Sequence, residues 1–321
     1  MKKLFKILIL FILALIVVLC CSCEKQDKGA ISVVCTGFAE YDWAKNVIGE
    51  GNDAITLIYL LEDGSDAHSF QPSISDIAKV SECDLFIYSG GSSYSWCEEI
   101  VKSANNKSMA TLCIYSLFED ELISSSNSSC EDHEHDHSDH IHAGYDEHLW
   151  LSLVNAQKAV KAICEALCQV DTENTARYLS NAENYTQKLS TLHEQYITAV
   201  SEAENKTLIF ADRFPFGYLA RDYSIDFYSA YTGCTADSEL SQDRIIFLAD
   251  KMDELSLSYV CIIETSEERL ANTIISVTQN KNALVTRFNS CQSVTMLEIQ
   301  NGANYLEIME QNLEALKTSL G

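Results

Sequence analysis

Basic residues are scarce in this chain: 22 lysines and arginines stand against 47 aspartates and glutamates, a formal net charge of −25. Nucleic-acid binding needs a basic face to meet phosphate, and this balance excludes it. No G-x-G-x-x-G fingerprint occurs, which removes the nucleotide-binding turn. No G-x-S-x-G elbow occurs either, so a serine-hydrolase triad lacks its usual seat. Outside the cluster Cys20 to Cys23 no C-x-x-C pair is found among the thirteen cysteines, and a structural zinc ribbon is excluded on spacing. Glycine and proline are both missing from Leu149 to Asn205, a stretch with nothing in it to break a helix.

What is present begins with a leader. Lys2, Lys3 and Lys6 precede the apolar run Leu8 to Leu19, followed by Cys-Cys-Ser-Cys at 20–23. A basic start and a short apolar core read as an export signal, residues 1–23. Ser22-Cys23 with the polar residues after it resembles a bacterial lipoprotein cleavage box, which implies lipid attachment at Cys23, with Cys21 as the alternative anchor and an uncleaved membrane anchor as the other reading of the run. The folded part is then expected outside the cytoplasmic membrane, held to it by the lipid. Hydrophobic residues make up 47% of the chain, enough for a sizeable core. Of the remaining cysteines, Cys164 and Cys168 lie four apart in a helical pattern and read as core or groove-facing residues.

The apolar pattern alternates strand and helix. Ala30 to Thr36, Ala54 to Leu60 and Asp84 to Tyr88 read as buried strands, with helices at Trp43 to Ile48 and Ile74 to Ser81 between them. Leu149 to Asn205 reads as helix with a break at Asp171-Thr172, Thr172 capping the second part, and His193 on its surface. A second βα series follows. Its strands are Thr207 to Phe210, Asp226 to Ala230, Tyr259 to Ile263 and Ala283 to Phe288. Its helices are Tyr218 to Asp222, Ser241 to Leu255, Leu270 to Thr278 and Ala303 to Ser319. The expected fold class is α/β: two similar βα lobes with parallel sheets, joined by one long rigid helix, with a cleft between lobes. The expected divisions are an N-terminal lobe over 24–148, a linking-helix region over 149–205 and a C-terminal lobe over 206–321.

Six of the eight histidines fall between Cys130 and Trp150. His133, His135, His137, His140 and His142 alternate with acids in a polar loop, 131–143, that has nothing to bury. Imidazole and carboxylate together suit divalent transition metals, bound weakly and exchangeably in such a loop. His148 differs, standing at the mouth of the apolar segment Leu149 to Val154, where a ring can be held in place.

Several segments together resemble the metal-binding lipoproteins of zinc and manganese ABC importers, the solute-binding proteins with a rigid linking helix. D-A-H-S-F-Q-P-S-I-S-D-I (Asp66 to Ile77) is similar to the family's first-histidine motif. D-E-H-L-W-L-S (Asp146 to Ser152) resembles its second, placed after a His-rich loop. F-A-D-R-F-P-F-G-Y-L (Phe210 to Leu219) resembles the opening of the second lobe, and Asn301 to Leu316 the closing helix. The resemblance implies that His68 and His148 are metal ligands. In the second lobe the slot that carries histidine in many zinc-binding relatives aligns with Ala211, which cannot bind metal; a loop one residue longer would bring Asp212 there. The further acidic ligand is assigned to Glu267, with Glu268 and Glu264 behind it. Cys234 and Cys291 are implied to approach each other as a disulfide.

By the same resemblance the chain is expected to be no enzyme. It would be a monomeric, lipid-anchored binding protein that captures Zn²⁺, or Mn²⁺ in the alternative, and delivers it to an ABC permease. The rival class is a secreted zinc-dependent hydrolase, which needs an open coordination position and a general base beside the bound water.

Overall fold

The computed structural model describes residues 30–124, 144–231 and 240–321. The expected leader with Cys21 and Cys23, the loop histidines His133, His135, His137, His140 and His142, and Cys234 lie outside the described residues.

The first lobe is a four-stranded parallel sheet of β1 (Ile31–Cys35), β2 (Ile55–Tyr59), β3 (Leu85–Tyr88) and β4 (Ala110–Cys113), in the order β2-β1-β3-β4. Its crossovers run through α1 (Phe38–Ile48), α2 (Ile74–Glu82) and α3 (Ser95–Ser103). A central parallel strand is covered on both faces, so it reads as a continuous apolar run; all four residues of β3 are buried, as are Val33, Val34 and Cys35 of β1. Ser73 and Asp76 form a reciprocal capping box that sets the start of α2.

The second lobe repeats the plan. Strands β5 (Thr207–Phe210), β6 (Asp226–Ser229), β7 (Tyr259–Ile263) and β8 (Leu284–Phe288) pair in parallel in the order β6-β5-β7-β8. They alternate with α6 (Gly217–Tyr223), α7 (Gln242–Glu254) and α8 (Arg269–Val277), and the chain ends in α9 (Met296–Gln300) and α10 (Tyr305–Leu320). In both sheets the strand order reverses beside the first strand. The loops leaving β1 and β3, and those leaving β5 and β7, therefore splay apart at the carboxyl ends and open a crevice there.

Between the lobes run α4 (Leu153–Val170) and α5 (Thr175–Glu202). Helix α4 packs on α1 and against β3 and β4, so it serves the first sheet. Helix α5, 28 residues and about 42 Å long, packs on α1 and α4 and then on α6 and α10. Hydroxyls hold it to both lobes: Tyr185 donates to Asp42 (3.1 Å) and Tyr196 to the Met309 carbonyl (2.7 Å). The break falls at Asp171 as expected, but Thr172 does not cap α5. It sits in a short 3₁₀ turn, and the Asp171 carboxylate instead takes the Tyr178 hydroxyl and the Asn174 amide. His193 is half-buried, its Nδ1 3.0 Å from the Tyr223 hydroxyl of α6. One continuous apolar cluster runs from β1 and β3 through α5 to Phe210, Phe216 and Phe288 of the second lobe. A shared core of this kind resists wide opening of the lobes.

Asp42 on α1 is 2% exposed and accepts from Tyr185 and from the Asn46 side chain (3.0 Å). Burial pushes its carboxyl up to about 6, although the Tyr185 hydrogen bond works against the shift. The folded value lies above the ordinary 3.9 of an unfolded chain, so Asp42 favours the fold at low pH and that advantage is lost as pH rises through about 6. Urea unfolding of the Asp42→Asn variant should therefore gain on the parent between pH 4 and pH 7.5, by up to about 3 kcal/mol. A stability difference that does not change with pH would show that Asp42 titrates normally.

Candidate metal site

Two histidines from different junctions of the first lobe meet at the crevice by the same local device. His68 lies in the loop between β2 and α2, where its backbone N–H donates to the Asp66 carboxylate two residues earlier (3.0 Å). His148 begins the short turn that leads into α4, and its N–H donates in the same way to Asp146 (2.9 Å). Each is an aspartate turn that fixes the backbone under the ring. At His148 the carboxylate does more: the same Asp146 oxygen is 2.6 Å from Nδ1. A carboxylate accepts, so Nδ1 carries the proton and Nε2 presents its lone pair, the tautomer a metal requires. The His148 ring is 1% exposed and rests edge-on against Trp150. His68 sits at the mouth, partly open to solvent, with Nδ1 2.7 Å from the Ser93 hydroxyl.

The two ring centres are 5.7 Å apart, tilted by 55°. Imidazoles that share one ion at about 2.0–2.1 Å per bond bring their rings to roughly this separation. Crowding of its ring by the protein lowers the proton affinity of His68; His148 and Arg213 add to this, while Asp66 and Glu147 oppose it. A neutral imidazole is the form that coordinates.

The second lobe meets the pair with Arg213 and Gln292. Arg213, on the loop after β5, reaches across to Asp66 (3.2 Å). Asp212 is 7% exposed, and its two oxygens take the backbone N–H of Arg213 (2.8 Å) and of Ile263 (3.3 Å), tying the end of β5 to β7. Glu264 accepts from the Ser290 N–H and hydroxyl. Glu267 is exposed on the turn after β7, and Glu268 lies 3.7 Å from Arg287. Ala211 is buried in the outer core of the second lobe. Among the described residues no group of three or more His, Cys, Asp or Glu side chains converges. His68 and His148 are thus brought together, whereas Asp212 and Glu267 do not join them in such a group.

Sequence reasoning missed the residue that meets His148 from the second lobe. The Gln292 side-chain nitrogen is 2.7 Å from His148 Nε2. With the Nδ1 proton given to Asp146, Nε2 can only accept, so the amide presents its NH₂. Also missed was Asp146. The signal was available in the matching spacing of D-A-H and D-E-H, an aspartate two residues before each histidine. Beside it Glu147, 6% exposed, accepts from the Ser92 hydroxyl (2.6 Å) and the Ser93 N–H (3.0 Å), which anchors the loop carrying His68's partner. Gly91 lets that loop close: it has a φ of +86°, and a Cβ there would lie 2.7 Å from the Glu147 carboxylate.

The model of the family described as zinc-uptake complex component A, periplasmic (ZnuA), matches residues 33–319. The chain belongs to that family. It is 29% identical over 310 residues to the zinc-binding lipoprotein AdcA of Streptococcus pneumoniae strain R6, covering 97% of this chain and 60% of that protein. It therefore spans three-fifths of the length of that relative. Against the high-affinity zinc uptake system protein ZnuA of Bacillus subtilis strain 168 it is 30% identical over 299 residues, covering 92% of this chain and 89% of that one. Among solved structures, the metal-dependent lipoprotein YcdH of Bacillus subtilis matches with a TM-score of 0.71 at 27% identity, over 91% of this chain and all of that one. The Zn(II)-bound ZnuA-like domain of Streptococcus pneumoniae AdcA matches with a TM-score of 0.70 at 25% identity, over 91% of this chain and 99% of that one. The two-lobed α/β plan joined by a long helix is the fold of this family.

His68 should stay neutral to a lower pH than the ordinary 6.5 of a free histidine. Replacing Arg213 by Gln removes a nearby positive charge and should raise the value. A ¹H–¹⁵N NMR titration reads both, and protonation of His68 above pH 6.5 in the parent would contradict the crowding described here.

Proposed function

We propose that this chain is the extracytoplasmic zinc-capturing component of an ABC importer. The observation that carries the reading is the pair of imidazoles at 5.7 Å on one crevice, one of them with its tautomer set by a buried carboxylate. Zinc fits two nitrogen donors of this kind, and the relatives are named for zinc. Manganese is the alternative cargo, favoured by a carboxylate-rich second half.

In this reading the ion arrives between His68 and His148 and the second lobe completes its sphere. Asp212 and Glu267 are the carboxylates proposed for that half. Asp212 would leave its two backbone N–H partners to reach the ion, and Glu267 would fold in from its exposed turn. The loop over 131–143, with His133, His135, His137, His140 and His142, gathers the ion weakly and raises its local concentration. A lipid on Cys23 holds the monomer at the membrane, beside the permease that receives the ion. The shared core favours small tilts of the lobes during delivery over wide closure.

The hydrolase alternative has one string in its favour, since His133 to His137 spells H-E-x-x-H. That motif acts from a helix that carries both imidazoles on one face. Here it stands in a polar run of acids and histidines without an apolar periodicity. Membership of an uptake family argues further against it.

Competition with a chromophoric chelator should find one firmly bound zinc per chain. His68→Ala and His148→Ala should each weaken it by on the order of 100-fold or more, and Asp146→Asn by about 10- to 100-fold. Deletion of residues 131–143 should leave the firm site intact; loss of all binding in that deletion would refute the division of labour. Equal affinity in the His148→Ala variant and the parent would refute the site.

A further inference from the structure

Beside Trp150 and Gln292 lies a small cavity, lined by Glu40, Leu61, Tyr94 and Cys291 among others. Its volume is about 10 Å³, room for one ordered water and too little for a separate organic ligand. Glu40, from α1, is 1% exposed. One of its carboxyl oxygens takes the Ser89 hydroxyl, while Oε2 is buried without a well-formed hydrogen bond, the backbone N–H groups of Gly37 and Glu40 being its nearby donors. A buried acceptor that lacks a good hydrogen bond is costly, and an added donor there stabilises the protein.

Gln292 lines the same cavity, and its amide is spent elsewhere, on His148 Nε2. That nitrogen carries the lone pair a metal would take, because Asp146 holds the proton on the other. An ion cannot bind His148 until the amide leaves. The backbone under Gln292 is fixed: the preceding loop is held by the bonds of Ser290 to Glu264 and by the Trp150 indole donating to the Ser290 carbonyl (2.9 Å). Departure is therefore a rotation of the side chain and needs no movement of the loop.

We propose that Gln292 is a two-position gate on the metal site, its amide donating to His148 Nε2 in the metal-free protein and to Glu40 Oε2 in the loaded one. This rests on the zinc-capture reading above. The swing exchanges the bond to His148, together with a long one from the Ser290 hydroxyl to the amide oxygen (3.4 Å), for a bond to Glu40 and displaces at most one water. It also gives Glu40 Oε2 a well-formed hydrogen bond. Glu40 is thus a positioning residue that never touches the ion.

The test is a double-mutant cycle on zinc affinity in the full mature chain, with Glu40→Met, Gln292→Ala and the pair together. Glu40→Met should weaken zinc about tenfold while Gln292 is present, the worth of one hydrogen bond, and less than twofold in the Gln292→Ala background. Gln292→Ala alone should take up zinc several-fold faster in stopped flow. Equal weakening by Glu40→Met in both backgrounds would reduce Glu40 to a structural residue and overturn the gate. A loss of 100-fold or more in Gln292→Ala would overturn it too, because the amide would then be a ligand itself.

Should Glu40→Met fail to fold, NMR of the unaltered protein serves. The Gln292 amide protons should be protected from solvent exchange both with and without zinc, and fast exchange in the loaded state would refute the second position. If the parent bound no zinc, the transport reading would fall and the gate with it. Zinc binding with additive variants would sink the gate alone.

Discussion

The crevice depends on one buried carboxylate. Asp146 is 7% exposed, and a charge taken that far from water is tolerated only where strong hydrogen bonds replace its hydration. One of its oxygens finds them in the backbone N–H and the Nδ1–H of His148. The Asp146 backbone carbonyl meanwhile accepts the Tyr218 hydroxyl of the second lobe (2.8 Å). The ring is thereby fixed in place, orientation and tautomer. Asp66 performs a looser version for His68, holding the backbone but not the ring, with its other oxygen on Arg213. One histidine is set and buried, and the other stands at the mouth with more freedom.

That asymmetry suits a scaffold that does not hinge widely. The two sheets share one strand order, and the reversal in each opens the loops that face each other. Helix α5 is pinned to the first lobe through Tyr185 and to the second through Tyr196 and His193. Further clasps cross the crevice directly: Trp150 to the Ser290 carbonyl, and Tyr59 to the Val294 carbonyl (2.9 Å). With a continuous core beneath them, the lobes have little freedom to part. Buried groups such as Gln292 and Glu40 gain their importance from this rigidity.

Legibility in the sequence followed burial. Strands β1, β3, β5 and β7 are short apolar runs because both faces are covered, and they were read nearly to the residue. Strand β4, A-T-L-C, is partly exposed along its length and carries no such run; it was missed together with the short helix α3 before it. The His68 and His148 positions were legible because each sits in a local turn. The second-lobe carboxylates were not. An acid at the end of a strand can face the crevice or satisfy backbone N–H groups, and Asp212 does the latter with both oxygens. Gln292 went unread because its contact with His148 spans 144 residues, beyond the reach of any local pattern.

The chain's own pattern thus determined everything governed by neighbours a few residues apart: the βα rhythm, the break at Asp171, and the two aspartate turns beneath the histidines. Tertiary structure decided which second-lobe group meets His148 Nε2, which carboxylates are consumed by backbone, and that Glu40 faces a cavity. The reason is range. Turn and strand preferences are set by local hydrogen bonds and the spacing of apolar residues, whereas the register of one lobe's loops against the other's depends on the whole shared core and the helix between them.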